Sequence, residues 1–443
     1  MKKRRLVLKA AILVVVVVAG ILIFALLPTA TANLKPAAEG TGAAQALIDS
    51  GHYVALAADC IACHTATGGK PFAGGLPIAS PIGTIYSSNI TPDKGTGIGN
   101  YSLNDFDRAV RHGITPDGTT LYPAMPYPSY ARMSDDDLRA LYAYFMYGVA
   151  PVAAANRDND IHWPLSLRWP LAIWRKAFAP VVAPIPPGRY QDAEIARGAY
   201  LVQSLGHCGS CHTPRAVTLQ ELSLDESQAS YLAGGPEIDG WTAVNLRGNP
   251  GAGLGNWTVR QIVDILRSAR SNDAAVVGKP MADVVTHSTQ YMTEADLQAI
   301  AVYLKTLSVN PNETGHFTPN SATANALKAG QESGRGAQLY LDNCAACHRS
   351  SGAGSAKAFP SIAGNATVLA ANPSTLIRLV LVGSTLPSTE TAPSNLGMPG
   401  FGWRLSDEET AQLVTFVRQS WGNSSGPATA EEVARIRKTV TVP

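Results

Sequence analysis

The chain has 443 residues, 46% hydrophobic and only 15% charged, with 40 glycines and 30 prolines. That composition describes a folded, loop-rich protein and excludes a disordered one. The net charge of +2 arises at the very start, where Lys2, Lys3, Arg4, Arg5 and Lys9 stand without an acidic residue; beyond residue 32, 30 basic groups face 33 acidic ones, so no basic domain exists to hold nucleic acid.

Residues 1–32, "MKKRRLVLKAAILVVVVVAGILIFALLPTATA", read as a signal or membrane-anchor segment: a basic start, an apolar run, then the small residues Ala30-Thr31-Ala32. The run from Ala10 to Leu27 is 18 residues long. As a helix it would span about 27 Å, against a hydrocarbon core of about 30 Å. Either outcome places the rest of the chain in the periplasm, and the expected location is the inner membrane at its periplasmic face.

The remaining length, at roughly 150 residues per domain, suggests about three domains. The figure Cys-X-X-Cys-His occurs three times, as "CIACH" at 60–64, "CGSCH" at 208–212 and "CAACH" at 344–348. A helix-like segment with a glycine and an aromatic precedes each one: "GHYVALAADC" from Gly51, "RGAYLVQSLGHC" from Arg197 and "RGAQLYLDNC" from Arg335. Glycine there lets two helices approach closely. After each motif a Gly/Pro-rich stretch leads to an amphipathic closing helix opened by a capping pair, Ser134 with Asp137, Thr293 with Asp296, and Ser406 with Glu409. The first two repeats also share "IGNYS" at 98–102 and "LGNWT" at 254–258, each leading into another helix.

These signals predict domains at 40–150, 192–306 and 331–424, a linker at 151–191, a second at 307–330 and a C-terminal tail at 425–443. The first linker carries Trp163, Trp169 and Trp174 among prolines. It reads either as a packed strap across two domains or as a surface that meets membrane or partner, and packing is the expectation because large aromatics are usually core.

Six cysteines in an oxidising compartment would ordinarily mean three disulfides, but a pair two residues apart followed by His points to covalent haem attachment. Two thioethers hold the porphyrin and the histidine reaches its iron. A zinc site needs further ligands that do not follow the pairs, and a redox dithiol gives the histidine no role. The attachment residues are therefore Cys60 and Cys63, Cys208 and Cys211, Cys344 and Cys347, with His64, His212 and His348 as axial ligands.

For the sixth ligand the third repeat offers one methionine, Met398 in "LGMPGFGW", eight residues before its helix cap. Met125 in "YPAMPYPS" lies nine before its cap, and Met281 in "GKPMADVV" also adjoins a proline. Proline removes a donor and disfavours helix, so these thioethers are expected on irregular loops. Met292 reads as a residue packing onto its own helix, and Met146 as core. Six histidines lie outside the motifs, His52, His112, His162, His207, His287 and His316, and no set of them recurs at one place. Three His/Met haems would form a chain of moderately high-potential one-electron carriers with no open coordination site. That pattern predicts domains packed in contact, since electrons must pass between them.

The segments "CIACHTATGGKPFAGGLPIASPIGTIYSSNITPD", "LYPAMPYPSYARMSDDDLRALYAYF", "GHCGSCHTPR" and "MADVVTHSTQYMTEADLQAI" together resemble the trihaem cytochrome c subunit of bacterial membrane-bound alcohol and aldehyde dehydrogenases, and of gluconate, sorbitol and fructose dehydrogenases. The resemblance implies an all-α fold: three tandem class I cytochrome c domains with long loops, after an N-terminal hydrophobic helix. It implies three covalently bound haem c groups at the twelve residues named above. It further implies an oxidoreductase complex in which a partner subunit with pyrroloquinoline quinone, molybdopterin or flavin oxidises the substrate, a small third subunit accompanies it, and electrons pass to ubiquinone and the respiratory chain. A dihaem peroxidase would need one displaceable sixth ligand, and a tethered shuttle to a terminal oxidase would use the same haems without a dehydrogenase. No Rossmann or phosphate-loop glycine figure is present, so no catalytic residue is assigned.

Overall fold

The computed structural model describes residues 41–442 except 272–275 and 314, together with Lys9, Ile12, Leu13, Val15, Val16, Gly20, Phe24 and Leu34. Among the described residues no helix is long and apolar enough to cross a membrane; the helix expected over 10–27 falls mostly outside them. The chain divides into two compact units, residues 1–55 with 63–186, and residues 56–62 with 187–443.

In the first unit, helix α1 (Thr41–Ala57) is followed by strands β1 (Pro77–Ser80) and β2 (Gly83–Tyr86), then α2 (Leu103–His112), α3 (Asp135–Ala143), β3 (Asp160–Ile161) and α4 (Trp169–Phe178). The starts of α2 and α3 follow from their sequence. The Ser102 hydroxyl accepts from Asp105 N–H while the Asp105 carboxylate accepts from Ser102 N–H, and Ser134 accepts from Asp137 N–H. Each bond satisfies a donor that the first helical turn would otherwise leave unpaired. One turn of π-helix, Tyr144–Gly148, extends α3. The sheet runs β1-β2-β3, antiparallel, with Pro77 opposite Tyr86 and Gly83 opposite Ile161.

The second unit contains α5 (Ala193–Tyr200), β4 (Glu237–Ile238), β5 (Trp241–Thr242), α6 (Val259–Ser268), α7 (Met281–His287), α8 (Glu294–Thr306), β6 (His316–Phe317), α9 (Arg335–Asn343), α10 (Ser374–Val382), β7 (Ser384–Thr385), β8 (Gly397–Met398), α11 (Asp407–Gln419), β9 (Asn423–Ser424) and α12 (Ala430–Arg437). The expected caps recur, with Thr293 accepting from Asp296 N–H and Ser406 forming a reciprocal pair with Glu409. The molecule is helix-rich as the sequence predicts. It adds, among the described residues, one three-stranded and three two-stranded sheets that the all-α expectation does not contain. These strands are two to four residues long, too short for an alternating pattern to register.

The predicted glycine crossings are present, and in one register. A Cβ on Gly51 would lie 1.9 Å from the Ala140 carbonyl oxygen, on Gly198 2.0 Å from that of Ala299, and on Gly336 2.5 Å from that of Gln412. Each struck carbonyl belongs to the sixth residue after the closing-helix cap, and the tenth, Tyr144, Tyr303 or Phe416, touches the same glycine through its Cβ. Arg197 grips Asp296 with both nitrogens at 2.8 and 2.7 Å, and Arg335 pairs with Glu409 at the equivalent place. The helix carrying each haem motif is thereby locked against the helix that ends the repeat.

The second and third repeats lie in one unit and touch through side chains. Buried Arg270 donates to Ser394 Oγ at 3.2 Å, to the Ser394 carbonyl at 2.7 Å and to the Pro387 carbonyl at 3.3 Å, and Thr242 N–H donates to Thr375 Oγ1 at 2.8 Å. Arg270→Ala is expected to cost about 2 kcal/mol, because the carbonyls of Pro387, Ala392 and Ser394 and one hydroxyl lose their donor in a buried place. Calorimetry should then show the melting of the second and third repeats separating, where the parent gives one transition.

Two segments read as linker and tail are folded into the third core. Ala324 and Leu327, from a short helix inside 307–330, and Val433 and Ile436 of α12 pack with Leu339, Tyr340, Ile377, Leu413 and Trp421. A capping box of Thr429 with Glu432 starts α12.

Candidate haem-binding sites

In each motif the two cysteines lie on one helical turn: Cys60–Cys63 in the first, Cys208 leading into Gly209–His212 in the second, and Cys344 leading into Ala345–His348 in the third. A separation of three residues puts both sulfurs on one face of the turn, as two thioethers to one ring require. No disulfide joins any of the six. Burial pushes the Cys208 and Cys344 thiols up to about 12, each further raised by its neighbouring cysteine. Groups held as neutral thiols are the reverse of the low-pKa thiolates that a redox dithiol or a zinc site uses.

The three histidines share one arrangement that the sequence did not reveal. His64 Nδ1 lies 2.7 Å from the Ser88 carbonyl oxygen, His212 Nδ1 2.7 Å from that of Val244, and His348 Nδ1 2.8 Å from that of Pro360. With Nδ1–H donating, Nε2 carries the lone pair, so the ring is set as a neutral ligand aimed away from the carbonyl. Burial lowers the pKa of all three imidazoles, against a smaller opposing effect of these bonds, which also favours the neutral ring. The backbone carbonyl of each histidine is held too: Gly74 N–H donates to that of His64 at 2.8 Å, Gly234 N–H to that of His212 at 3.0 Å, and Gly354 N–H to that of His348 at 3.2 Å. The acceptor carbonyls sit 12 to 32 residues downstream in loops, where no motif marks them.

Exposure separates the methionines. Met133 and Met292 are shut into the core at 0% and 3%, as helix-packing residues are, while Met125, Met281 and Met398 are all half-buried. Met146 is also half-buried, in the π-helical turn, and not core as expected. Of the three expected ligands only Met125 stands on an irregular loop. Met281 is the first residue of α7 and Met398 pairs with Ser384 in the β7–β8 ladder. Proline is well tolerated just before a helix begins, so Pro280 precedes α7 instead of preventing it. The histidines outside the motifs occupy unrelated places. His52 lies against the Tyr144 ring, His112 is buried 3.6 Å from Asp107, His162 and His287 are exposed, His207 has a positive φ, and His316 is in β6.

The residues present fit haem c: cysteine pairs on one turn and outside any disulfide, a neutral imidazole with its tautomer fixed, and a half-buried thioether in every repeat. Among the described residues no group of three or more His, Cys, Asp or Glu gathers to hold a bare metal ion.

The cytochrome c family model matches residues 48–147 and 333–421, around the first and third motifs. Over 403 residues, 90% of this chain and 91% of the relative, the sequence is 53% identical to the gluconate 2-dehydrogenase cytochrome c subunit of Pantoea cypripedii. The chain belongs to the cytochrome c subunits of dehydrogenase complexes. Other members include the cytochrome c subunit of the quinone alcohol dehydrogenase of Gluconacetobacter polyoxogenes, 50% identical over 91% of this chain and 86% of that one. The fructose dehydrogenase cytochrome subunit of Gluconobacter japonicus is 39% identical over 88% of this chain and 82% of that one. As a member of this family the subunit is an electron-transfer component of an oxidoreductase and binds haem c covalently. The middle motif, outside the family-model match, repeats the glycine crossing and the histidine-to-carbonyl bond of its two neighbours.

Proposed function

We propose that this cytochrome c subunit carries three haem c groups, one in each of three tandem domains at 40–150, 192–306 and 331–424, and relays electrons from a catalytic partner to ubiquinone. In this reading helices build each domain and the small sheets are pairings within loops. Cys60 and Cys63, Cys208 and Cys211, Cys344 and Cys347 attach the rings, and His64 with Met125, His212 with Met281, and His348 with Met398 ligate the irons. Haem bound there supplies a one-electron carrier whose potential methionine ligation raises. The carbonyls of Ser88, Val244 and Pro360 fix the histidines, and the glycine crossings hold each motif helix in place. The threefold recurrence of that crossing, with its motif and its bound histidine, carries the proposal.

In this reading the complex lies at the inner membrane, facing the periplasm, with a partner that oxidises an alcohol or aldehyde. The identity to a gluconate 2-dehydrogenase subunit favours, as a second reading, a partner that oxidises a sugar or sugar acid. Alkaline pyridine spectra of the purified chain should give three haem equivalents, and fewer would overturn the proposal. Adding ethanol, acetaldehyde or gluconate to the complex isolated from membranes should reduce those haems with one substrate class, which decides between the partners.

Replacing Met125, Met281 or Met398 by alanine, one at a time, is expected to leave the haem count unchanged. Each change should give high-spin character or a lower potential at one centre. Met133→Ala should instead leave all three potentials in place and cost about 3 kcal/mol of stability, because it opens a cavity in a closed core. Optical redox titration and thermal melting separate the two patterns.

A further inference from the structure

We infer that the outer side of the segment 161–181 lies on the surface of an anionic lipid bilayer. Its inner side is fixed to the first unit. The Arg168 guanidinium stacks 4.3 Å over the Tyr122 ring and donates to the Thr120 carbonyl at 2.6 Å; the Trp174 ring meets Tyr127 edge-on at 6.5 Å; and His162 N–H donates to the Ile82 carbonyl. Arg175 is buried beside them. Clamped in this way, the segment cannot turn its remaining apolar side chains inward. Trp163 is 80% exposed, Trp169 51% and Val181 88%, with Leu165 and Leu167 exposed between the two tryptophans. A folded protein seldom leaves so many large apolar groups together in water without something to cover them.

Three observations point to lipid as the cover. Residues 161–181 hold Arg168, Arg175 and Lys176 and not one acidic residue, and Lys176 is the cation left outside the inner clamp, while the rest of the chain beyond residue 32 holds 27 basic against 33 acidic groups. A cationic, tryptophan-bearing segment on an otherwise acidic protein complements an anionic headgroup layer, where tryptophan rings sit preferentially. The segment is also joined to the apolar run at the start of the chain: the Lys176 ammonium donates to the Phe24 carbonyl and lies 5.2 Å from the centre of the Phe24 ring. Finally, the described apolar residues of that run, Ile12, Leu13, Val15, Val16 and Phe24, are exposed as well. Lys176 thus ties the segment to that run at Phe24. This deepens the membrane location proposed above, and the electron-transfer reading survives its failure.

The test uses the full-length holoprotein in nanodiscs of phosphatidylcholine with a quarter phosphatidylglycerol, doped with a diazirine-bearing phosphatidylcholine, and maps photolabelled peptides by mass spectrometry. Label is expected on 161–181 and on the N-terminal run, and several-fold less on 161–181 in discs without phosphatidylglycerol. W163S/W169S removes two exposed rings, Trp169 being half covered, and touches none of the clamping residues, so the haem spectrum should be unchanged while label on 161–181 falls about fivefold and label on the N-terminal run persists. Three results would overturn the inference: a labelled N-terminal run with 161–181 bare, equal labelling in parent and variant, or cross-links from 161–181 to the dehydrogenase partner in place of lipid. A chain that does not enter the discs at all would remove the membrane location with it.

Discussion

Gly198→Leu is expected to prevent the second repeat from closing, lowering its thermal midpoint by more than about 10 °C and reducing the yield of haem-loaded protein. The mechanism is a collision with backbone. The new Cβ would begin 2.0 Å from the Ala299 carbonyl oxygen and 2.7 Å from Tyr303 Cβ, with three more carbons to place beyond it. A flexible side chain would move aside. A helical carbonyl cannot, so α5 and α8 must separate along their whole contact, and the Arg197 to Asp296 grip goes with it. Overpacking of this kind costs about 3 kcal/mol or more, whereas the gain from removing a glycine inside a helix is about 1 kcal/mol. Gly426→Ala is the control: nothing lies within 4 Å of the added methyl, and the midpoint should hold. If Gly198→Leu melted with the parent, the crossing would not be what closes the repeat.

The difference between those two glycines also marks how much of the molecule was legible in the sequence. Features whose cause lies within a few residues were readable. Ser134, Thr293 and Ser406 cap the helices they introduce, because a hydroxyl followed three residues later by an acidic residue solves a local problem of unpaired donors. The cysteine pairs were readable since their spacing is that of a single turn. Gly198 looked meaningful because its neighbours repeat around Gly51 and Gly336, yet the atom it spares, the carbonyl of Ala299, is about a hundred residues away and came only from the fold.

What escaped was set by distant partners or by strands too short for a pattern. Nothing near Val244 or Pro360 in sequence says that their carbonyls will orient histidines. The pairing of β7 with β8 gathers Met398 into a ladder from what reads as loop. Helix α12 is different, since Thr429, Glu432, Val433 and Ile436 are a capping box followed by an apolar stripe, and the segment was readable by the rule that located the closing helices. The tryptophan-rich segment divided: Trp174 packs as a buried aromatic is expected to, while Trp163 and Trp169 stand outside. Composition alone does not say which side of a strap faces in.

Replacing both Cys208 and Cys211 by alanine is expected to lower the haem content from three equivalents to two and to unfold the second repeat, with the first and third spectra kept. On the proposed attachment the loss exceeds that of two small side chains, because a ring fixed through both sulfurs would be part of the core that the repeat folds around, so that binding free energy there is folding free energy. Leu201, Val202 and Leu205, all buried, lie on the turn leading into Cys208, and His212 is held by Val244 from a loop 32 residues away. Without a ligand for its Nε2, that imidazole keeps its bond to the Val244 carbonyl but no longer ties the motif turn to the methionine side of the repeat. Because Arg270 and Thr242 dock this repeat onto the third, its collapse should also expose the stretch just after residue 306 to protease, giving a fragment that ends near residue 306 and a stable one that keeps the third haem. Two haem equivalents with an intact second repeat would mean that its polypeptide core suffices. Three equivalents would mean that Cys208 and Cys211 do not hold a ring, and the trihaem assignment would fall at its middle member.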